Sequence, residues 1–342
     1  GGRRCSSSVA YIAPIKSRKN LKIITNAQSK KVNIVDGKAT SIDIIIKDKL
    51  DTITARKEII ICAGAIGSPQ LLMLSGIGPG EDLRKLGIEV VSDLVGVGKN
   101  LQDHLQARPV FKTDLSTINT ETSNYVKMAL MGLQYILTQR GPMTMAASLG
   151  TGFLKTEDHL ETPDIQFHIQ PFSADMPSKG THTFSAFTAS VLQLRPESTG
   201  YLKLKSPNYL DHPEIHPNYL ATVTDCKTIV KGVQIARKIA QYEPLKSHVS
   251  EEYAPGSEVP LEDEEGTLDW VRRTAVTIYH PTGTCKMGTD EMSVVSPTLK
   301  VRGVEGLRVA DASIMPKITS GNTNAPAIMI GEKASDLILK EA

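Results

Sequence analysis

Apolar and polar positions along the first hundred residues follow the pattern of short strands. Runs rich in β-branched residues occur at 21–25, 31–35 and 41–46, and we expect each to form a strand. Asp36 and Gly37 separate the last two runs, and this pair is typical of a tight hairpin turn. The amino-terminal part is therefore predicted to begin as β structure.

A continuous apolar run, EIIIC at 58–62, differs from these strands and is typical of a strand covered on both faces. The segment GSPQLLMLSGIGPG that follows predicts a short helix of about two turns. Ser68 suits its N-cap, Pro69 its first position and Gly76 the residue past its end. The glycines between strand and helix either turn the chain or bring backbone amides to a ligand.

Residues 106–270 show longer helical patterns. Apolar spacing predicts a helix over 124–138 that ends at a Gly-Pro pair. Its inner face is predicted to consist of Tyr125, Met128, Leu133 and Ile136.

A second helix is predicted over 225–241, with Ile229, Val233 and Ile239 buried. The acidic segment GSEVPLEDEEG after it is predicted to be a solvated linker. Strand-like runs lie at 165–169, 184–192 and 200–204.

The last seventy or so residues return to a strand at 307–310, ending in Asp311, and a helix at 325–339 with Pro326 near its start. The order of α/β piece, different middle and α/β piece is typical of a second domain inserted into the first. The predicted boundaries are 1–105, 106–270 and 271–342.

Composition excludes several classes of protein. The chain has 342 residues, enough for two domains, with 40% hydrophobic and 22% charged residues and a net charge of +2. This balance gives no support for a nucleic-acid partner. The four cysteines lie far apart and form no CxxC pair, which argues against a zinc site and a disulfide framework. No apolar segment approaches the roughly 20 residues of a membrane span.

The stretch YHPTGTCKMG at 279–288 concentrates candidate chemistry. His280 and Cys285 as metal ligands are disfavoured because Pro281 and Gly283 break any helix between them and no second ligand pair follows. Cys285 as a nucleophile lacks neighbours that would lower its thiol pKa, so burial is the simpler role. Two roles stay open for His280: a general base held on a rigid loop, and a structural residue.

Two other patterns give weaker signals. His212 and His216 have the i, i+4 spacing of a helical zinc pair, but Pro213 and Pro217 disfavour a helix there. GIGPGE and GVGKNL begin like dinucleotide-binding loops, yet both lack the final glycine. A complete dinucleotide fingerprint is therefore missing from this sequence.

Several blocks in the same order resemble the glucose-methanol-choline (GMC) flavin oxidoreductases, and LRPESTGYLKLKSPN resembles their bacterial choline and alcohol dehydrogenase branch. The resemblance extends over nearly the whole chain. The blocks are CAGAIGSPQLLMLSGIGP at 62–79, VGKNLQDH at 97–104, YHPTGTCKMG at 279–288 and VRGVEGLRVADASIMPKITSGNTNAPAIMIGEKASDLI at 301–338.

The resemblance implies an α/β plus α+β fold, in which an incomplete Rossmann-like FAD-binding domain carries a substrate domain of antiparallel sheet backed by helices. It implies FAD as cofactor, His280 as the base that accepts the alcohol proton, and Asn322 as the group that holds the substrate oxygen. The implied cofactor contacts are Ser29, Ala63, Gly64, Asn100, Asp311, Ala312, Thr323 and Asn324.

The family opens with a strand, GxGxxG and helix that this sequence lacks, so by analogy about 200 residues or more precede it. We expect the chain alone to bind FAD poorly and to turn over slowly or not at all. Choline and simple aliphatic alcohols are the leading substrates, and the electron acceptor is a quinone, another carrier or oxygen. The expected location is the cytoplasm or the periphery of the inner membrane.

Two alternatives stay open. A lyase on the same fold would use the same histidine without net redox chemistry, and a truncated product would be inactive.

Overall fold

The computed structural model describes residues 2–146, 148–175 and 180–341. The strands are β1 (Ala27–Val35), β2 (Lys38–Ile46), β3 (Lys49–Thr54), β4 (Ile59–Ile61), β5 (Ile77–Gly78), β6 (Ser92–Asp93), β7 (Leu105–Ala107), β8 (Val110–Thr113), β9 (Gly150–Leu154), β10 (Ile165–Gln170), β11 (Ala186–Gln193), β12 (Tyr201–Lys203), β13 (Glu214–His216), β14 (Val249–Ala254), β15 (Val276–Thr277) and β16 (Leu307–Val309). The α-helices are α1 (Gly64–Leu74), α2 (Gly80–Lys85), α3 (Ile118–Thr122), α4 (Tyr125–Thr138), α5 (Val223–Ile239), α6 (Glu264–Thr274) and α7 (Asn324–Glu341).

The chain forms two compact units. The mixed unit comprises Pro14–Asp103, Ser198–Tyr219 and Tyr279–Ala342, and the sheet unit comprises Gly1–Ala13, His104–Glu197 and Leu220–Ile278. Each unit is assembled from segments that are distant in sequence, and each has a hydrophobic core of its own.

The mixed unit begins with an antiparallel sheet in the order β1, β2, β3. Asp36 and Gly37 both have positive φ, as a two-residue hairpin turn requires, so the predicted hairpin is confirmed. The run at 58–62 forms β4, which pairs in parallel with β16. Ile61 and Val309, opposite each other at the ends of these strands, are both buried, but Ile60 is 41% exposed, so the predicted covering of β4 on both faces is wrong.

The sheet unit is built on an antiparallel sheet in the order β14, β8, β11, β10, β9, with β7 and β15 attached at β11. Helix α5 packs on β10 and β11, and α6 packs on α5. Ile229 and Val233 of α5 are buried in this core, as the sequence predicts. The antiparallel sheet backed by helices that we expected is therefore present.

Several local predictions are wrong. Residues 21–25 form no strand, and β3 was missed because its residues are all exposed and carry no strong apolar pattern. Ser68 is not an N-cap, because α1 already starts at Gly64 and Ser68 lies inside it. The supposed linker GSEVPLEDEEG contains Asp263, whose side chain caps α6 by accepting from the Gly266 N–H.

The predicted inner faces of two helices also fail in part. Ile239, near the end of α5, is exposed rather than buried. Tyr125, Met128, Leu133 and Ile136 of α4 are all exposed, and the described part of α4 contains no buried residue. These four side chains therefore do not form an inner face, and the partly buried positions of α4 are Met131, Gly132 and Tyr135.

Candidate active site

The carboxyl ends of β4 and β16 lie side by side, because the two strands are parallel and in register. Asp311, just after β16, accepts hydrogen bonds from the Gly64 N–H at 3.0 Å and from the Ser68 hydroxyl at 2.5 Å. The Ser68 oxygen in turn accepts from the Ala63 N–H at 3.0 Å. One carboxylate thus fixes both turns at the sheet edge where α/β proteins bind ligands.

This edge is open to a ligand. Ala63 is exposed, and an added Cβ at Gly64 would meet nothing within 4 Å. Ala63 is the N-cap of α1 and has no polar side chain to cap the helix, and the Asp311 carboxylate instead accepts from the first helical N–H, that of Gly64. Ala312, on the neighbouring turn, is half-buried. Backbone amides and one carboxylate are therefore the groups available here.

His280 lies in the same unit, on a loop with a bulky residue in an unusual conformation. Tyr279 has φ +62, in the left-handed region that such residues rarely occupy. The His280 N–H donates to Asp103 Oδ1 at 2.9 Å, and the Tyr219 hydroxyl donates to Asp103 Oδ2 at 2.5 Å. His280 is 7% exposed. The histidine is thus held by a buried carboxylate that the sequence analysis did not single out.

The side chain of Asn322 reaches His280. Asn322 Nδ2 lies 3.3 Å from His280 Nε2. When the ring carries its proton on Nδ1, the amide N–H donates and Nε2 accepts in this pair. The structure therefore brings together the two residues predicted to be catalytic, one as a potential base and the other as an amide beside it.

The rest of the YHPTGTCKMG loop is bound along its backbone. Thr282 exchanges two backbone hydrogen bonds with Gln102, at 2.9 and 3.1 Å. The Cys285 and Met287 N–H groups each donate at 2.8 Å to carbonyls of the turn that follows Asp311. Gly283 has φ +90, and a Cβ there would lie 2.4 Å from the Asn100 carbonyl oxygen. Only glycine fits at this approach.

Pro69 explains a further contact of this loop. Proline has no N–H, so within α1 the carbonyl of Ala65 loses its usual helical donor. The Thr284 hydroxyl donates to that carbonyl at 2.6 Å, and both residues are buried. Pro69 thus creates an acceptor that ties the loop to α1.

Asn100 was predicted to contact the cofactor, and the structure shows what its amide does within the protein. Nδ2 donates to the carbonyls of Gly283 at 3.3 Å and Pro316 at 3.2 Å, and Oδ1 accepts from Gln102 Nε2 at 3.0 Å. Asn100 therefore connects VGKNLQDH to the histidine loop. A contact with the cofactor stays a prediction.

The other predicted positions occupy different parts of the mixed unit. Thr323 and Asn324 lie at the start of α7, whose first turn contains no acidic residue. Ser29 is half-buried on β1, in a sheet separate from the β4–β16 pair. The described contacts do not join Ser29 to the Asp311 cluster.

Cys285 is fully buried, and burial raises the pKa of its thiol well above the ordinary value. A thiol held in the protonated state is a poor nucleophile, in agreement with a packing role. His216 lies on β13 and not on a helix. Within the described ranges, no group of three His, Cys, Asp or Glu side chains could hold a metal ion.

Comparisons with known proteins identify the family. Two family models, both described as GMC oxidoreductase, match residues 1–106 and 196–331. The chain is 39% identical over 99% of its length to alcohol dehydrogenase [acceptor] of Pseudomonas putida, covering 62% of that protein. It is also 39% identical over 98% of its length to oxygen-dependent choline dehydrogenase of Staphylococcus xylosus, covering 60%. The chain belongs to the GMC oxidoreductase family.

Solved structures agree on the fold. A formate oxidase variant of Aspergillus oryzae, studied for its effect on FAD modification, matches with a TM-score of 0.91 at 26% identity, over 99% of this chain and 64% of the oxidase. The chain thus spans about three fifths of the length of the relatives it matches. No helix in the described residues is long and apolar enough to cross a membrane.

Proposed function

We propose that this chain is the catalytic part of an FAD-dependent enzyme that oxidises an alcohol to an aldehyde, with His280 as the general base. The observation that carries the proposal is the 3.3 Å pair between His280 Nε2 and the Asn322 amide, on a loop fixed from several sides. Membership of the GMC family and the names of its relatives, alcohol and choline dehydrogenases, support the reaction class.

The groups at the edge of β4 and β16 fit an FAD. The backbone N–H groups and the positive dipole end at the start of α1 suit a phosphate, and the Asp311 carboxylate suits the hydroxyls of a ribityl chain. The positive end of the α7 dipole, at Thr323 and Asn324, suits an isoalloxazine ring that gains negative charge on reduction. When bound, FAD supplies the acceptor for the hydride that leaves the alcohol carbon.

The residues of this chain handle the proton. His280 Nε2 accepts the hydroxyl proton of the alcohol, which builds negative charge on the oxygen and allows the carbon to release its hydrogen with both electrons. The Asn322 amide, 3.3 Å from the same nitrogen, donates to that oxygen as the charge develops. The alcohol loses one proton and one hydride, and becomes a carbonyl compound.

The substrate is proposed to be choline or a simple aliphatic alcohol, with a quinone, another carrier or oxygen as the electron acceptor. One relative is named for an alcohol without further specification and another for choline, so their names do not separate the two candidates. A choline site requires aromatic faces and a carboxylate around the quaternary ammonium. The placement proposed for the protein is the cytoplasm or the periphery of the inner membrane.

The test is anaerobic reduction of the bound flavin by a panel containing choline, ethanol and hexan-1-ol. It uses the protein expressed from the full reading frame, together with His280→Ala and Asn322→Ala. We expect at least one alcohol to bleach the flavin, and the His280→Ala variant to be slower by about 10²–10⁴-fold. A flavin that no alcohol reduces would favour the lyase instead. Equal rates in the His280→Ala variant would reject the base.

A further inference from the structure

Three features of the backbone constrain His280. Tyr279 is left-handed at φ +62, a strained conformation for an aromatic residue. Pro281 follows, restricts His280 to extended conformations and has no N–H to donate. Of these three consecutive residues, His280 is the one whose backbone N–H is held by Asp103, at 2.9 Å.

The surroundings of Asp103 hold its carboxylate in place. Its side chain is 8% exposed, and its second oxygen accepts from the Tyr219 hydroxyl at 2.5 Å. The neighbouring residue Gln102 pairs with Thr282 on the far side of His280, and its Oε1 accepts from the Ile318 N–H at 3.1 Å. The Tyr219 hydroxyl thus holds the Asp103 carboxylate, and the contacts of Gln102 hold the chain next to it.

We propose that Asp103, held by Tyr219, is a positioning residue for the His280 base. The hydrogen bond from the His280 N–H to the charged Asp103 carboxylate offsets the strain at Tyr279. It also sets the direction in which the imidazole side chain points from the backbone. That direction places Nε2 beside the Asn322 amide. Loss of the carboxylate allows the Tyr279–His280 peptide to relax, so the ring no longer points at the reacting hydroxyl. The inference rests on the function proposed above.

Three variants distinguish a role of Asp103 in positioning His280 from a general role in the stability of the fold. Asp103→Ala removes both acceptors, Asp103→Asn keeps an acceptor for the His280 N–H, and Tyr219→Phe removes only the hydroxyl that orients the carboxylate. In the FAD-loaded protein from the full reading frame, we expect Asp103→Ala to slow flavin reduction by about 10–100-fold, since small misplacements of a catalytic group cost this much. KM should change less than about threefold. Asp103→Asn should recover most of the rate, and Tyr219→Phe should lose less than Asp103→Ala.

A double-mutant cycle gives the decisive result. If Asp103 acts through His280, the Asp103→Ala change should slow the His280→Ala variant no further. Losses that multiply in the double variant would overturn the positioning role while leaving the base in place. A His280→Ala variant with no loss of rate would instead reject the proposed function, and the positioning role with it.

A readout independent of activity is amide hydrogen exchange of the peptide that contains Tyr279 and His280. We expect faster exchange at this peptide in Asp103→Ala, and protection close to wild type in Asp103→Asn, with other peptides unchanged. Unchanged exchange at this peptide in Asp103→Ala would contradict the inference.

Discussion

Asp290 anchors the residues that follow the histidine loop. Lys286 Nζ donates to both of its oxygens, at 2.9 and 3.1 Å, and the Ser293 hydroxyl donates at 2.9 Å. The hydrogen bonds from Lys286 and then from Ser293 lower the pKa of Asp290 to about 2, from an ordinary value of 3.8. A depressed pKa in the folded state means that the charged form stabilises the fold.

We therefore expect the contribution of Asp290 to be fully present above about pH 4 and to disappear as the pH falls towards about 2. The Asp290→Asn variant should be less stable than wild type at neutral pH, and the difference should shrink over this window. The measurement is urea unfolding at several pH values, with Asp336→Asn on the exposed side of α7 as the matched control. A difference that does not depend on pH would contradict the role of this charge.

A buried hydroxyl gives a second prediction at this scale. Thr284→Val keeps the shape of the side chain but leaves the Ala65 carbonyl, already deprived of a donor by Pro69, unsatisfied. We expect a loss of about 1–3 kcal/mol in the free energy of unfolding. Thr284→Ser retains the hydroxyl and should lose less. A loss in Thr284→Val no larger than that in Thr284→Ser would contradict a dominant role for this hydrogen bond.

At the scale of elements, α4 and α5 show how similar sequence patterns end in different environments. Both have apolar side chains at helical spacing, but α5 packs on β10 and β11 while α4 contains no buried residue in the described structure. Each has an internal glycine. A Cβ on Gly232 of α5 would lie 2.7 Å from Val191 Cγ2, whereas a Cβ on Gly132 of α4 would meet nothing within 4 Å.

These two glycines form a matched pair. Gly232→Ala should destabilise the chain by about 1–3 kcal/mol, because the helix must move away from the sheet. Gly132→Ala should be neutral or stabilise by up to about 1 kcal/mol, because alanine favours an exposed helix. The check is the midpoint of denaturant unfolding. A neutral Gly232→Ala would mean that α5 has room to shift on β11.

Local sequence was a good guide to elements whose pattern is self-contained. The hairpin at Asp36 and Gly37 and the strand at 58–62 were predicted correctly, because turn residues and apolar runs act within a few positions. Ser68 was misread because its partner, Asp311, is 243 residues away. Asp103 was missed for the same reason, since nothing around VGKNLQDH indicates that its carboxylate meets His280.

At the scale of the whole molecule, each compact unit is assembled from separate segments, and the predicted catalytic and cofactor residues all lie in the mixed unit. The chain matches relatives over nearly all of its own length but over about 60% of theirs. The fold class and the family predicted from the sequence are confirmed. The domain boundaries at 105 and 270 stay predictions.

Because the sequence lacks a complete GxGxxG fingerprint, we expect the chain as given to bind FAD weakly. The measurement is a titration followed by flavin fluorescence, comparing this chain with the protein from the full reading frame. If the full reading frame extends beyond this chain, we expect the affinity for FAD to be at least about 100-fold higher for the extended protein, equivalent to about 2.7 kcal/mol. Tight binding of FAD by this chain alone would contradict this expectation and show that the edge of β4 and β16 is sufficient to bind FAD.

The sequence by itself determined the family, the candidate base and about half of the elements, because motifs and periodicity are carried by short stretches of chain. Only the tertiary structure decided that Asp103 holds the His280 backbone across 177 residues, that Thr284 satisfies the carbonyl freed by Pro69, and that the apolar face of α4 is exposed. These features depend on which distant segments fold against each other. That choice is made by packing and by the pairing of buried polar groups over the whole unit, which no local window contains.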